Sequence, residues 1–144
     1  MKQINRGSRT EPQEKKRKIQ HEGIEQEILF KWAKSESIDH PELNLLFHIP
    51  NGGKRSETEA KAFKRQGVKA GVPDIFLPVS REGSHGLFIE LKYGTNRPTK
   101  EQLEWIKDLR QQNYTVSVCY GWVSAAIVIS DYLGFEANLP SNGL

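Results

Sequence analysis

Apolar residues at Ile24, Ile28 and Trp32, with Leu29 and Ala33 beside them, recur at the spacing of one helical face and predict a helix over 22–34. Glu27 and Lys31 make an exposed supporting pair on it. Residues 35–42 are loop-like, and the run 45–49 reads as a buried strand closed by Pro50. Asn51-Gly52-Gly53 signals a turn, and a short helix over 57–66 stops at Gly67. Two strand patterns follow, over 74–79 and 87–93, joined by a hairpin-like loop over 80–86. Thr99-Lys100-Glu101-Gln102 has the form of a capping box. The helix it opens is predicted to bury Leu103, Ile106 and Leu109 and to end near Asn113. Alternation over 114–120 predicts a last strand, and 122–133 a closing helix with Gly134 at its end. Leaving the short helix aside, the order α-β-β-β-α-β-α describes one α/β domain with a mixed sheet, in which a hairpin lies beside a strand–helix–strand step.

Charge divides the chain differently. Residues 1–18 hold seven Lys/Arg and two Glu, so the overall +3 splits into +5 there and −2 over 19–144. Such a segment is expected to be a flexible basic arm, with 19–144 forming the single folded domain. A second basic stretch, 54–69, carries six Lys/Arg against two Glu.

Several classes are excluded by what the sequence lacks. No apolar run reaches the ~18–20 residues of a membrane span, and the basic N-terminus is followed by no apolar signal-peptide region. One cysteine, Cys119, rules out an internal disulfide framework, and the four histidines do not have the spacing of a zinc helix. A reducing, cytoplasmic setting is the expectation.

The chemistry concentrates in one strand. In Leu87-Phe88-Ile89-Glu90-Leu91-Lys92, alternation places Leu87, Ile89 and Leu91 on one face and Phe88, Glu90 and Lys92 on the other. Burying a carboxylate and an ammonium on a core strand is costly without a partner or a metal. If the preceding strand pairs as a hairpin, Asp74 comes near Glu90 at the same sheet edge. Two converging carboxylates call for a proton or a cation between them, and all-oxygen ligands suit Mg²⁺ or Mn²⁺.

Pro73-Asp74 followed by Glu90-Leu91-Lys92 resembles the PD-(D/E)xK nuclease signature. The longer pattern Pro50-Asn51-Gly52-Gly53, Gly71-Val72-Pro73-Asp74, Phe88-Ile89-Glu90-Leu91-Lys92, Gln102 and Trp105 resembles the VRR-NUC branch of that superfamily, in particular its small stand-alone phage and bacterial members. The likeness covers roughly residues 20–134 and implies a restriction-endonuclease-like core. It implies that Asp74 and Glu90 are metal ligands with the backbone carbonyl of Leu91, and that Lys92 is the catalytic lysine. The family's helical Glu and the Gln four residues on correspond to Glu22 and Gln26, with Glu22 reaching the metal site directly or through water. Gln102 corresponds to a glutamine near the site, and Asn113 stands where relatives often have Gly. The resemblance further implies a divalent-metal-dependent endonuclease, in a bacterial or phage-infected cell, acting as a homodimer on branched DNA such as a four-way (Holliday) junction.

DNA binding draws on Lys15, Lys16, Arg17 and Lys18 in the arm, and on Asn51, Lys54, Arg55, Lys61, Lys64, Arg65 and Lys69 after the turn. Such contacts neutralise phosphate without reading bases. The alternatives are a flap, fork or nonspecific DNA nuclease, and a non-catalytic DNA-binding scaffold of a replication or repair complex. Other residues read as structural: Trp32, Trp105 and Trp122 as packing, His48 as a rim contact, Cys119 as an inert buried thiol.

Overall fold

The computed structural model describes residues 11–50 and 55–141. Helix α1 (Glu11–Glu36) starts well before the apolar stripe, so residues 11–18 are helical where a flexible arm is expected. Gln, Glu, Lys and Arg dominate 13–18 and are strong helix formers, and Pro12 is tolerated in the first turn. No apolar residue falls within 13–18, so hydrophobic periodicity is silent there. The run 45–49 also divides. Pro41–Leu45 is a 3₁₀ turn whose three-residue repeat takes Leu43 and Leu46 to the core and leaves Leu45 exposed. Only β1 (Phe47–His48) pairs as a strand.

The remaining elements are α2 (Glu57–Arg65), β2 (Ile75–Leu77), β3 (Leu87–Lys92), α3 (Lys100–Gln111), β4 (Thr115–Tyr120) and α4 (Trp122–Leu133). The Thr99/Gln102 capping box is formed in full, and Asn113 takes the left-handed conformation that Asn tolerates (φ 64°). The sheet order is β1-β2-β3-β4, antiparallel through β3 and parallel between β3 and β4.

β3 is buried along its whole length and separates two apolar clusters. On one face Leu87, Ile89 and Leu91 pack with Leu29, Trp32 and Ala33 of α1 and with Ala125, Ala126 and Ile129 of α4. On the other, Phe88 packs with Val116 and with Ile106 of α3, and its ring stacks on Phe76 at 4.1 Å. Cys119 lies in the first cluster, where burial pushes its thiol up to about 11. Two expected core residues are exposed. Leu103 is 54% exposed because α3 meets the sheet through Ile106 and the half-buried Leu109. Ile24 is 46% exposed because the inward stripe of α1 continues upstream from Leu29 through Gln26, Glu25 and Glu22 instead.

Candidate active site

The register Ile75↔Ile89 continues by one step to set Asp74 opposite Glu90, at the end where β2 begins and β3 finishes. Asp74 is fixed from both sides. Its Oδ2 accepts the Leu91 N–H at 2.9 Å, and its carbonyl accepts the Ile49 N–H at 2.7 Å and the His48 Nδ1 at 2.8 Å. The residues before it rest on α3. A Cβ on Gly71 would stand 2.8 Å from the Glu101 carbonyl carbon, and its φ of +89° is also one that favours glycine. Trp105, read from the sequence as packing, donates its Nε1–H to the Ala70 carbonyl at 3.0 Å and so acts as a brace for this loop.

Glu90 is 2% exposed and Lys92 is 8% exposed. The Lys92 Nζ lies 3.2 Å from the Glu90 Oε1 and donates to the Gln102 Oε1 at 2.9 Å. Gln102 returns its amide, donating from Nε2 to the Glu90 Oε1 at 2.7 Å, while its Oε1 also accepts the Thr99 N–H at 2.8 Å. One side chain thus closes the helix cap and holds both members of the Glu-x-Lys pair. Burial, and then the neighbouring charge of Asp74, push the Glu90 carboxyl up to about 8, against the pull of Lys92. Asp74 and Glu90 interact directly, and the charge on Asp74 favours the protonated form of Glu90. Burial raises Asp74 as well, partly offset by the Leu91 N–H and Lys92.

Glu22 stands at the margin of this group: its Oε1 accepts from the Asn96 amide at 3.0 Å. Beside it His21 stacks on Tyr93 at 4.5 Å, so consecutive residues of α1 grip the loop between β3 and α3. Gln26 is half-buried and makes no hydrogen bond among the described residues. Glu25, not singled out by the sequence, accepts the Trp122 N–H at 2.7 Å and caps α4, whose N-cap Gly121 has no side chain to do so. Among the described residues no group of three or more His, Cys, Asp and Glu side chains is gathered as a complete metal cage. What converges is a carboxylate pair, a lysine and a glutamine.

The cations fall into two groups. Lys15, Lys16, Arg17 and Lys18 ride on α1, while Lys61, Lys64 and Arg65 ride on α2, which buries none of its residues. Arg55 lies over the Phe63 ring at 4.2 Å, and Lys69 is exposed in the following loop. Asn51 and Lys54 lie outside the described residues.

A sequence model of the VRR-NUC domain matches residues 16–122. The chain belongs to the VRR-NUC domain family. A solved structure of a VRR_NUC domain protein superposes with a TM-score of 0.69 at 32% identity, over 83% of this chain and 97% of that one. A comparison with curated proteins finds no significant match. Membership of the VRR-NUC family implies a nuclease-type function with DNA as substrate, and nuclease domains of this kind usually employ divalent metals. The mixed α/β architecture and its four-stranded sheet agree with the VRR-NUC fold. No helix among the described residues is long and apolar enough to cross a membrane.

Proposed function

We propose that this VRR-NUC domain is a divalent-metal-dependent endonuclease that hydrolyses phosphodiester bonds of branched DNA, working as a homodimer that resolves four-way junctions. The observation that supports it is the convergence of Asp74, Glu90 and Lys92, with Gln102 bridging the last two. A buried carboxyl beside a half-buried one suits a hard divalent cation, since Mg²⁺ is commonly held by one or two carboxylates together with substrate phosphate. Asp74 and Glu90 would hold Mg²⁺ or Mn²⁺. The Leu91 carbonyl would join them, because in an extended strand it lies on the same side as the N–H that Asp74 binds. Glu22 would contribute from the margin, directly or through water. When bound, such an ion polarises a phosphoryl oxygen and lowers the pKa of a water.

The protein's own part is positioning and charge. Gln102 holds Lys92 in one place, and the ammonium there stabilises charge developing on the phosphate and orients the attacking water. Glu90 must give up its proton for the site to take an ion, so the reaction is favoured toward alkaline pH. A two-fold dimer would present two such centres to the two equivalent strands of a junction. The junction preference and the dimer draw on the likeness to small stand-alone VRR-NUC members.

The test is cleavage of end-labelled four-way junction, flap, fork and linear duplex with Mg²⁺ or Mn²⁺, alongside Asp74→Ala and Lys92→Ala. Paired symmetric cuts in the junction that fall at least ~100-fold in both variants are the expected result. Equal cutting of every substrate removes the resolvase reading and keeps the nuclease. Tight binding with no cutting under either metal sinks catalysis.

A further inference from the structure

One face of α1 runs past the end of the sheet and encloses a cleft of about 390 Å³ against the loop between β3 and α3. Glu14, Lys15, Lys18 and Ile19 line it from the helix, Asn96, Arg97 and Thr99 from the loop, and Lys92 closes its floor. Lys15, Lys18 and Glu22 lie on one stripe of α1, the stripe that leads down to the carboxylate pair. Four cations therefore line the cleft, Lys92 among them, against a single carboxylate, Glu14. Among the described residues Lys15, Lys18 and Arg97 make no ion pair or hydrogen bond. An opening that is cationic, unpaired and continuous with Lys92 suits an extended polyanion that already has one phosphate at the centre.

We infer that this cleft binds the backbone phosphates of the cleaved DNA strand immediately to one side of the scissile bond, through Lys15, Lys18 and Arg97. The inference rests on the nuclease reading and adds to it a path for the strand. The spacing agrees. Lys18 stands about 6 Å and Lys15 about 10.5 Å along the helix axis from Glu22, at 1.5 Å per residue. A duplex strand advances about 3.4 Å per phosphate, so the two lysines and Arg97 cover two or three successive phosphates. Asn96, already holding Glu22, ties the wall of the cleft to the centre. The helical first half of α1 suits this role: a rigid rail keeps its cations in register with the strand, which a flexible arm does not.

The test compares Lys15→Ala/Lys18→Ala/Arg97→Ala with an equal-charge control, Lys31→Ala/Lys34→Ala/Lys107→Ala, all at surface positions. Binding of labelled duplex and junction DNA is measured across a salt series without metal, and cleavage with Mn²⁺. The cleft variant is expected to lose roughly tenfold or more in affinity near 100 mM salt, and its log–log salt slope to fall by about 3, with the control close to wild type. A single methylphosphonate beside the cut should weaken wild-type binding and leave the cleft variant indifferent to it. Equal slopes for both triple variants, or equal sensitivity to the methylphosphonate, overturn the inference. Cleavage by wild type with an unaffected cleft variant leaves the nuclease standing and removes the cleft. A weakened cleft variant of a protein that binds but never cuts keeps the cleft and removes the nuclease.

Discussion

The two faces of β3 share a backbone, a register and a depth in the protein, yet serve opposite ends. Leu87, Ile89 and Leu91 meet α1 and α4 in an apolar cluster that contains no charged group. The other face begins the same way with Phe88 and then places Glu90 and Lys92 at nearly equal depth. The apolar face stabilises the fold by removing surface from water. The polar face spends part of that stability on a carboxylate pair that a hydrophobic pair of similar volume would outperform. In this family member the sheet core is the rigid support that holds two carboxyl groups together beside a lysine.

The sharpest way to break the comparison is to exchange what is lost. Ile89→Ala should cost about 2–5 kcal/mol of stability by urea unfolding while the folded fraction still cuts DNA. Glu90→Gln should abolish cleavage, at least ~100-fold, and leave urea stability at pH 8 equal to or above wild type. Loss of stability in Glu90→Gln larger than in Ile89→Ala would reverse the assignment of the two faces.

Gly71→Ala comes next. The added methyl would meet the Glu101 backbone and sit at a positive φ, so the loop carrying Asp74 must shift. Cleavage should fall by about 10- to 100-fold, with a stability loss of about 1–3 kcal/mol. Trp105→Phe, which keeps an aromatic ring but trims the indole and drops its bond to Ala70, should give a smaller effect in the same direction.

Titration sharpens the contrast further. Folded Glu90 holds its proton up to about 8, whereas an unfolded carboxyl releases it near 4.5. Its contribution to stability is therefore full below about 4.5 and lost as pH rises through about 8. The metal-free melting temperature should fall by on the order of a few degrees between pH 5 and pH 9, and this slope should flatten in Glu90→Gln. Mn²⁺ should reverse the trend, raising the melting temperature more at pH 8.5 than at pH 6. The smallest effect belongs to Leu103→Ala, expected within about 0.5 kcal/mol despite its apolar side chain, because half of it faces solvent.

Much of this was legible in the residues. The period of two over 87–92 separates the faces of β3, the hairpin brings Asp74 to Glu90, and the capping box places Gln102 at the start of α3. Some of the illegible parts leave no hydrophobic period. The first half of α1 is set by the propensity of Glu, Gln, Lys and Arg. Asn96 and Arg97 look like any residues of a polar loop until α1 is known to pass beside them. The 3₁₀ turn at Pro41–Leu45 hides because LNLLFHI fits a strand as readily as a tighter helix. Leu103 and Ile24 show the converse, since an apolar residue at helical spacing does not reveal which stripe the neighbouring elements will cover.

Cys119, the chain's one thiol, gives the native protein a built-in clock. Burial and the raised pKa leave it almost no thiolate at neutral pH, so a thiol reagent can reach it only while β4 parts from the helices above it. The rate of alkylation then counts openings of the sheet in unmodified sequence, with no engineered label. Followed with and without Mn²⁺ and DNA, that rate separates ligands that clamp the whole domain from those that tighten only the edge where Asp74 and Glu90 meet.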